Sequence, residues 1–146
     1  MELGPVDRIT ADAVGTPGDR TFYIQARAGE ELVTVIVEKQ QVQLLAASVL
    51  ELLELAPAAG AEADESTMSL EEPLFPRWRA GRLSIAFDEE RDLFLLEVEE
   101  FQPDLDDLDV EDPPPMVPET EPESIRIWAS PAQMLALSRH GAAVAA

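Results

Sequence analysis

A change in the spacing of apolar residues constrains this fold more than any other feature of the sequence. Residues 21–27 alternate between apolar and polar side chains, which is typical of a half-buried strand. Residues 32–37 are apolar apart from one threonine, which predicts a central strand covered on both faces. From Lys39 the apolar spacing becomes three and four, as on an amphipathic helix, and Pro57 ends that pattern. The sequence therefore predicts two strands that lead directly into a helix.

Three further segments have the pattern of strands. A strand is predicted near residues 8–14, before the turn at residues 15–18, where glycine and proline favour a tight reversal. Residues 77–100 predict a hairpin, because apolar residues alternate on both sides of the polar loop 88–92. Residues 125–128 predict one last short strand. Antiparallel pairing accounts for all of these elements.

The second helix is marked by its first residues. Ser130 fits the N-cap, Pro131 the first helical position and Gln133 the partner in a capping box. Apolar residues then provide a packing face, and the helix is predicted to end near Gly141. Each half of the chain thus gives three strands and then a helix, a βββα pseudo-repeat in the order of elements. We predict an α+β fold, a mainly antiparallel sheet of about six strands with two helices packed on it.

The net charge of −20 is unevenly distributed along the chain. Residues 101–124 hold nine acids and residues 58–76 hold five, with no base in either stretch, so the rest of the chain carries only −6. Both stretches are also rich in proline. We therefore predict acidic linkers at about 57–76 and 102–124, inside a single domain of residues 1–146. A large basic footprint is missing, which argues against strong binding to a phosphate backbone.

Other properties of the sequence limit its chemistry and its compartment. The chain has no cysteine, so it offers no disulfide, thiolate metal site or cysteine nucleophile. His140 is the single histidine, and neither a catalytic triad nor a three-histidine metal site can be built. No apolar run of about 18 residues predicts a membrane span, and the first twenty residues lack the apolar core of a signal peptide. We predict a cytoplasmic protein without a catalytic site, cofactor or metal.

The best candidate for binding is a polar patch at the strand-to-helix switch. Three of its members alternate with apolar residues along one strand, and three others begin the helix, where free N–H groups favour anions. The patch consists of Arg20, Tyr23, Gln25, Arg27, Lys39, Gln40 and Gln41. An ordinary solvated strand face beside a helix start is the alternative interpretation.

Three other groups of polar residues each have a functional and a structural interpretation. Arg77, Arg79 and Arg82 lie close to Trp78 and could contact phosphates or bases, although pairing with the acidic linker is the alternative. The acids at residues 104–112 resemble a cation loop but lack the glycine and closing glutamate of an EF-hand, which favours a solvated linker. The acids at the predicted hairpin tip, Asp88, Glu89 and Glu90, have no matched base, and we predict a polar loop.

Four motifs give the chain a family resemblance. They are residues 15–26, 37–42, 79–81 and 125–128. With these motifs the chain resembles the actinobacterial domain-of-unknown-function family 3090, which has no assigned activity. Members usually continue past Ala146 into a cysteine-rich segment that resembles a zinc knuckle. This chain has no such segment, so the resemblance implies zinc only if that segment were present, and the chain is either trimmed or a shortened member.

These observations lead to one preferred function and two rivals. We predict a non-enzymatic binding or adaptor module with a protein partner and no membrane association. A single-stranded nucleic-acid-binding module is the alternative, because single-strand-binding folds can consist of two strand-rich halves that each end in a helix. An enzyme, such as a hydrolase that uses acidic residues with a metal supplied in trans, ranks third.

Overall fold

The computed structural model describes residues 1–55, 68–102 and 122–146. Within these ranges the chain forms seven strands and two helices, so the predicted α+β class and both helices are confirmed. The elements in chain order are β1 (Glu2–Leu3), β2 (Arg8–Thr16), β3 (Asp19–Ala28), β4 (Glu31–Val37), α1 (Lys39–Leu55), β5 (Ala80–Asp88), β6 (Leu93–Glu100), β7 (Ser124–Ala129) and α2 (Pro131–Val144).

The strands are divided between two sheets, whereas the sequence predicted a single sheet of about six strands. One sheet has the order β2-β3-β4 and the other the order β1-β7-β6-β5. Neighbouring strands are antiparallel except for β1 and β7, which pair in parallel. The order β2-β3-β4-α1 returns as β5-β6-β7-α2, which confirms the βββα pseudo-repeat. The additional strand β1 was not predicted, because a strand of two residues leaves no periodic pattern in the sequence.

The two sheets meet where the chain before β5 runs beside β4. The Ile36 N–H donates to the Trp78 carbonyl at 3.0 Å, and the Arg77 N–H donates to the Thr34 carbonyl at 2.9 Å. Residues 32–37 were predicted to be a central strand, but β4 is the last strand of its sheet and β3 is the central one. Thr34 is nevertheless only 2% exposed, so the predicted burial of both faces of β4 is confirmed.

The helices bury the faces that their apolar spacing predicts. Val42 and Val49 of α1 and Met134 of α2 are at most 1% exposed. Helix α2 was predicted to end near Gly141 but continues to Val144. At this glycine a Cβ atom would lie 3.0 Å from Val42 Cγ1, so the missing side chain lets α2 pass close to α1 without interruption.

The start of α2 follows the prediction in detail. The Gln133 N–H donates to Ser130 Oγ at 3.1 Å, and the Ser130 N–H donates to Gln133 Oε1 at 2.8 Å, which confirms the capping box. Pro131 occupies the first helical position. Among the described residues, no helix is long and apolar enough to cross a membrane.

Residues 68–72, which we call the strap, cross the polar side of β2 and β3. Met68 is 4% exposed, and Thr10 Oγ1 donates to its carbonyl at 2.7 Å. The strap lies inside the predicted linker at 57–76, and its packing differs from the solvated chain that the composition indicates. Residues 57–67 of that linker, and residues 103–121 of the second linker, lie outside the described residues.

Candidate functional site

Basic side chains from three separate parts of the chain line one cleft of about 410 Å³. Arg20 comes from β3, Lys39 is the first residue of α1, and Arg79 immediately precedes β5. Glu38 is the one acidic residue in the lining. We call this site the cationic cleft. The chain has 10 Lys and Arg residues in all, so a large share of its basic side chains meets at one place.

The floor of the cationic cleft is apolar. Phe22 of β3 lies opposite Val37 of β4 in the antiparallel register, and Ile36 forms a bridge with Arg79. All three apolar residues line the cleft. The cleft therefore lies where β4 ends and α1 begins, which is the switch of period seen in the sequence.

Arg20 is positioned by a tight turn and by the end of α2. Gly15 and Gly18 connect β2 to β3 with φ values of 116° and 89°, which side chains other than glycine rarely adopt. Arg20 Nη1 donates to the Val144 carbonyl at 3.1 Å, in the last turn of α2, where carbonyl groups lack helical partners. A guanidinium has five N–H donors, so this single bond leaves donors for a ligand.

The start of α1 is fastened by Gln41. Its Oε1 accepts the Glu38 N–H at 2.7 Å, and its Nε2 lies 3.2 Å from the Ala80 carbonyl and 3.3 Å from that of Gly81. Gln41 thus joins the helix start to β5 and has a structural role. Lys39 is exposed and takes no part in these hydrogen bonds of Gln41.

Arg79 reaches the cleft because residues 77–79 run beside β4. Its Nη1 lies 3.6 Å from Glu38 Oε1, and the two side chains are 58% and 61% exposed. An ion pair this exposed contributes little to folding, because water and salt screen it. The Arg79 guanidinium therefore remains accessible to a ligand. The sequence places Arg79 in one group with Arg77 and Arg82. No pattern in the neighbouring sequence indicates that Arg79 approaches Arg20 and Lys39.

The opposite end of β3 is covered by the strap. Gln25 is 3% exposed; its Nε2 donates to Thr34 Oγ1 at 3.0 Å, and its Oε1 accepts the Glu71 N–H at 2.7 Å. Arg27 Nε donates to Glu71 Oε2 at 2.7 Å, and Arg8 Nη1 lies 3.1 Å from Glu71 Oε1. Gln25 and Arg27 therefore hold the strap to the sheet.

The members of the predicted polar patch do not lie in one site. The structure brings Arg20 and Lys39 together in the cationic cleft and adds Arg79, which the prediction for the patch did not include. The remaining predicted members do not line the cleft: Tyr23, Gln25, Arg27, Gln40 and Gln41. Of these, Tyr23 is half-buried and Gln40 is exposed.

The two tryptophans have packing roles. Trp78 is half-buried and its Nε1 donates to Glu123 Oε2 at 3.0 Å. Trp128 is 9% exposed, and the Arg91 guanidinium lies 4.5 Å from the centre of its ring. Arg82 lies apart from Arg79, in a groove between α1 and β5. The arginines near Trp78 therefore do not form one surface.

The acidic candidates have structural contacts where they are described. Asp88 Oδ1 accepts the N–H groups of Glu90 and Arg91 at 3.1 and 3.3 Å, which closes the hairpin turn as predicted. His140 Nε2 lies 3.0 Å from Asp12 Oδ1 and attaches α2 to β2. The acidic run at residues 104–112 lies outside the described residues. Within residues 1–55, 68–102 and 122–146, no group of three His, Cys, Asp or Glu side chains could hold a metal ion.

Two antiparallel meanders, each followed by a helix, and a cationic cleft at the first strand-to-helix switch define the architecture of this α+β protein. Over residues 1–146 the chain belongs to the family described as Protein of unknown function (DUF3090), as its motifs predict. No similar curated protein and no similar solved structure was found.

Proposed function

We propose that the protein is a binding or adaptor module rather than an enzyme, and that it holds an anionic group of its partner in the cationic cleft. One observation carries this proposal: Arg20, Lys39 and Arg79 come from distant parts of an acidic chain and line the same concave site. Strongly acidic proteins repel anions in general, so a local concentration of positive charge is where an anion gains most.

The exposure of these side chains supports binding over a structural role. Each of the three residues is exposed, whereas Arg8 and Arg27 at the other end of the sheet are partly buried against Glu71. A cation that already pairs with a partly buried carboxylate has little to gain from a ligand. An exposed cation with a long ion pair, or with spare donors, has more to gain.

The contacts of the tryptophans favour a partner other than single-stranded nucleic acid. Binding of single strands generally needs aromatic faces on which bases stack along a positively charged track. The ring of Trp128 is covered by Arg91, and Trp78 is half-buried and bonded to Glu123. A filter-binding assay with an oligothymidylate at low and high salt tests this rival directly.

The main test is an NMR titration of the isotope-labelled full chain with sodium phosphate, sodium acetate and oligothymidylate in turn. We expect at least one anion to cause saturable shifts of the Thr21, Glu38 and Lys39 amides. Lys39→Glu should abolish these shifts because it replaces a cation of the cleft with an acid. Arg126→Ala, on β7, should leave them unchanged. The proposal fails if no anion gives saturable shifts, or if Lys39→Glu responds like the unaltered protein.

A further inference from the structure

The charge, floor and size of the cationic cleft indicate the chemical class of its ligand. We infer that the cleft takes an organic phosphate monoester, with the phosphate among Arg20, Lys39 and Arg79 and an apolar body against the floor. This inference rests on the proposed function, since it specifies the ligand of the same site. A free small molecule and a phosphorylated side chain of a partner protein share this chemistry.

The charge of the lining fits a phosphate better than a carboxylate. The lining contains three basic side chains and one acidic one, which gives a formal side-chain charge of +2; this count excludes the main-chain carboxyl group of Ala146, which also lines the cleft. A phosphate monoester carries about −1.5 to −2 at neutral pH, so it can neutralise this charge, whereas one carboxylate carries only −1. Two of the three cations are guanidinium groups, whose paired N–H donors match two phosphate oxygens at once.

The size and floor of the cleft fit a ligand with an apolar part. Its volume of about 410 Å³ falls in the range of small-molecule sites, roughly 300–1,000 Å³. A bare phosphate would leave most of this space to water. Ile36 is half-buried beside the cations, and Phe22 and Val37, at 8% and 3% exposure, present only small apolar areas to the cleft. A ligand body that covers these areas adds a modest hydrophobic contact to the charge pairing.

The rest of the surface argues against a polyanion in the same site. A nucleic-acid strand needs basic side chains for several successive phosphates. Outside the cleft, Arg8 and Arg27 pair with Glu71, and Arg126 lies 3.8 Å from Glu97. The chain as a whole carries a net charge of −20. Arg77 and Arg82 are also exposed but do not line the cleft, so the cleft itself offers cations for a single phosphate group.

Calorimetric titration of the full chain with phenyl phosphate, inorganic phosphate and benzoate tests this inference. Phenyl phosphate should bind about tenfold more tightly than benzoate, which lacks the second negative charge, and about tenfold more tightly than inorganic phosphate, which lacks the apolar body. Lys39→Ala and Arg79→Ala should each weaken phenyl phosphate by about tenfold, the effect of one lost charge-assisted contact.

Arg126→Ala is the matched control. Arg79 and Arg126 are both exposed arginines with a long ion pair, at 3.6 and 3.8 Å, but only Arg79 of the two lines the cleft. Arg126→Ala should leave the affinity for phenyl phosphate unchanged. An equal loss in both variants would overturn the inference, because it would show general attraction of anions rather than a site.

The other ligands of the titration distinguish a failure of this inference from a failure of the proposed function. Benzoate that binds in the cleft as tightly as phenyl phosphate would overturn the phosphate class while the binding module stands. Tighter binding of oligothymidylate would overturn it in favour of a polyanion. A peptide with one phosphotyrosine represents the protein-borne source. Cleft binding of either phosphate ester above benzoate supports the inference, and the tighter ester identifies the source.

Discussion

The two ends of strand β3 present the same residue types in opposite roles. At one end Arg27 pairs with Glu71 at 2.7 Å, and the two side chains are 32% and 23% exposed. At the other end Arg20 and Arg79 line an open cleft, and the nearby pair of Arg79 with Glu38 is 3.6 Å apart and 58% and 61% exposed. The first end is closed by the strap and the second is open to solvent.

This difference shows that exposure, more than residue type, decides what a charged side chain does here. A partly buried pair is shielded from water and salt, so it can hold a segment in place. An exposed pair is too weak to be structural, and we propose that its cation is used to bind a ligand. The following variants test whether the strap end is structural and the cleft end is not.

Gln25→Ala should have the largest effect on folding. The Gln25 amide group bonds to Thr34 and to both backbone polar groups of Glu71, at distances of 2.7 to 3.1 Å. Its loss leaves buried polar groups without partners, which costs about 2–3 kcal/mol of the free energy of unfolding. Urea denaturation measures this change. Gln40→Ala, on the exposed start of α1, is the control and should change stability by less than about 0.5 kcal/mol. Equal effects would remove the structural role of the strap.

Glu71→Gln should have the next largest effect. The substitution keeps the shape of the side chain but removes the charge that Arg8 and Arg27 share. We expect a loss of about 1–2 kcal/mol, because hydrogen bonds to a charged group are replaced by weaker ones. Hydrogen exchange of residues 68–72 should accelerate. The matched variant Glu38→Gln disrupts the exposed pair and should cost less than about 0.5 kcal/mol. A larger loss in Glu38→Gln than in Glu71→Gln would reverse the comparison.

How much of this fold the sequence predicts depends on whether the contacts concerned are local or long-range. Spacing and caps are local, so the strand-to-helix switch at Lys39, the capping box at Ser130 and the βββα order were all predictable. The junction of the two sheets is formed by the contact of residues 77–79 with β4, more than 40 positions away in sequence. The period of a strand indicates its buried face but does not identify its neighbour.

The candidate site shows a similar limit. Alternation puts Gln25 and Arg27 on a polar face, and such a face is exposed in a simple two-layer fold. Here the strap covers that face. The composition of the strap had predicted a solvated linker instead. Arg20 and Lys39 were named as members of one patch, whereas Arg79 joins them only through the long-range bridge to Ile36. Sequence thus predicted two of the three cations in the cleft.

Replacing arginine by lysine at each end of β3 should separate the contribution of the planar guanidinium shape from that of the positive charge. Arg27→Lys keeps the charge beside Glu71 but loses the planar fork, and we expect a cost of about 1 kcal/mol in unfolding free energy. Arg20→Lys should cost less than about 0.5 kcal/mol, because the affected bond to Val144 lies at an exposed helix end. Thermal unfolding followed by circular dichroism measures both. A greater loss of unfolding free energy in Arg20→Lys than in Arg27→Lys would mean that the cleft end also stabilises the fold.

A rise in salt concentration should have the smallest effect on folding. It should also distinguish the strap end of β3 from the cleft end most clearly. Raising sodium chloride from about 50 mM to about 500 mM shortens the range of electrostatic forces to a few ångströms, which weakens contacts between exposed charges first. Phenyl phosphate binding at the cleft should therefore fall several-fold over this range. Protection of the strap amides from hydrogen exchange should change little, since the Arg27 and Glu71 side chains touch and are partly buried. If salt instead releases the strap and leaves phenyl phosphate binding intact, then the partly buried pair is the weaker contact, and the roles of the two ends of β3 are exchanged.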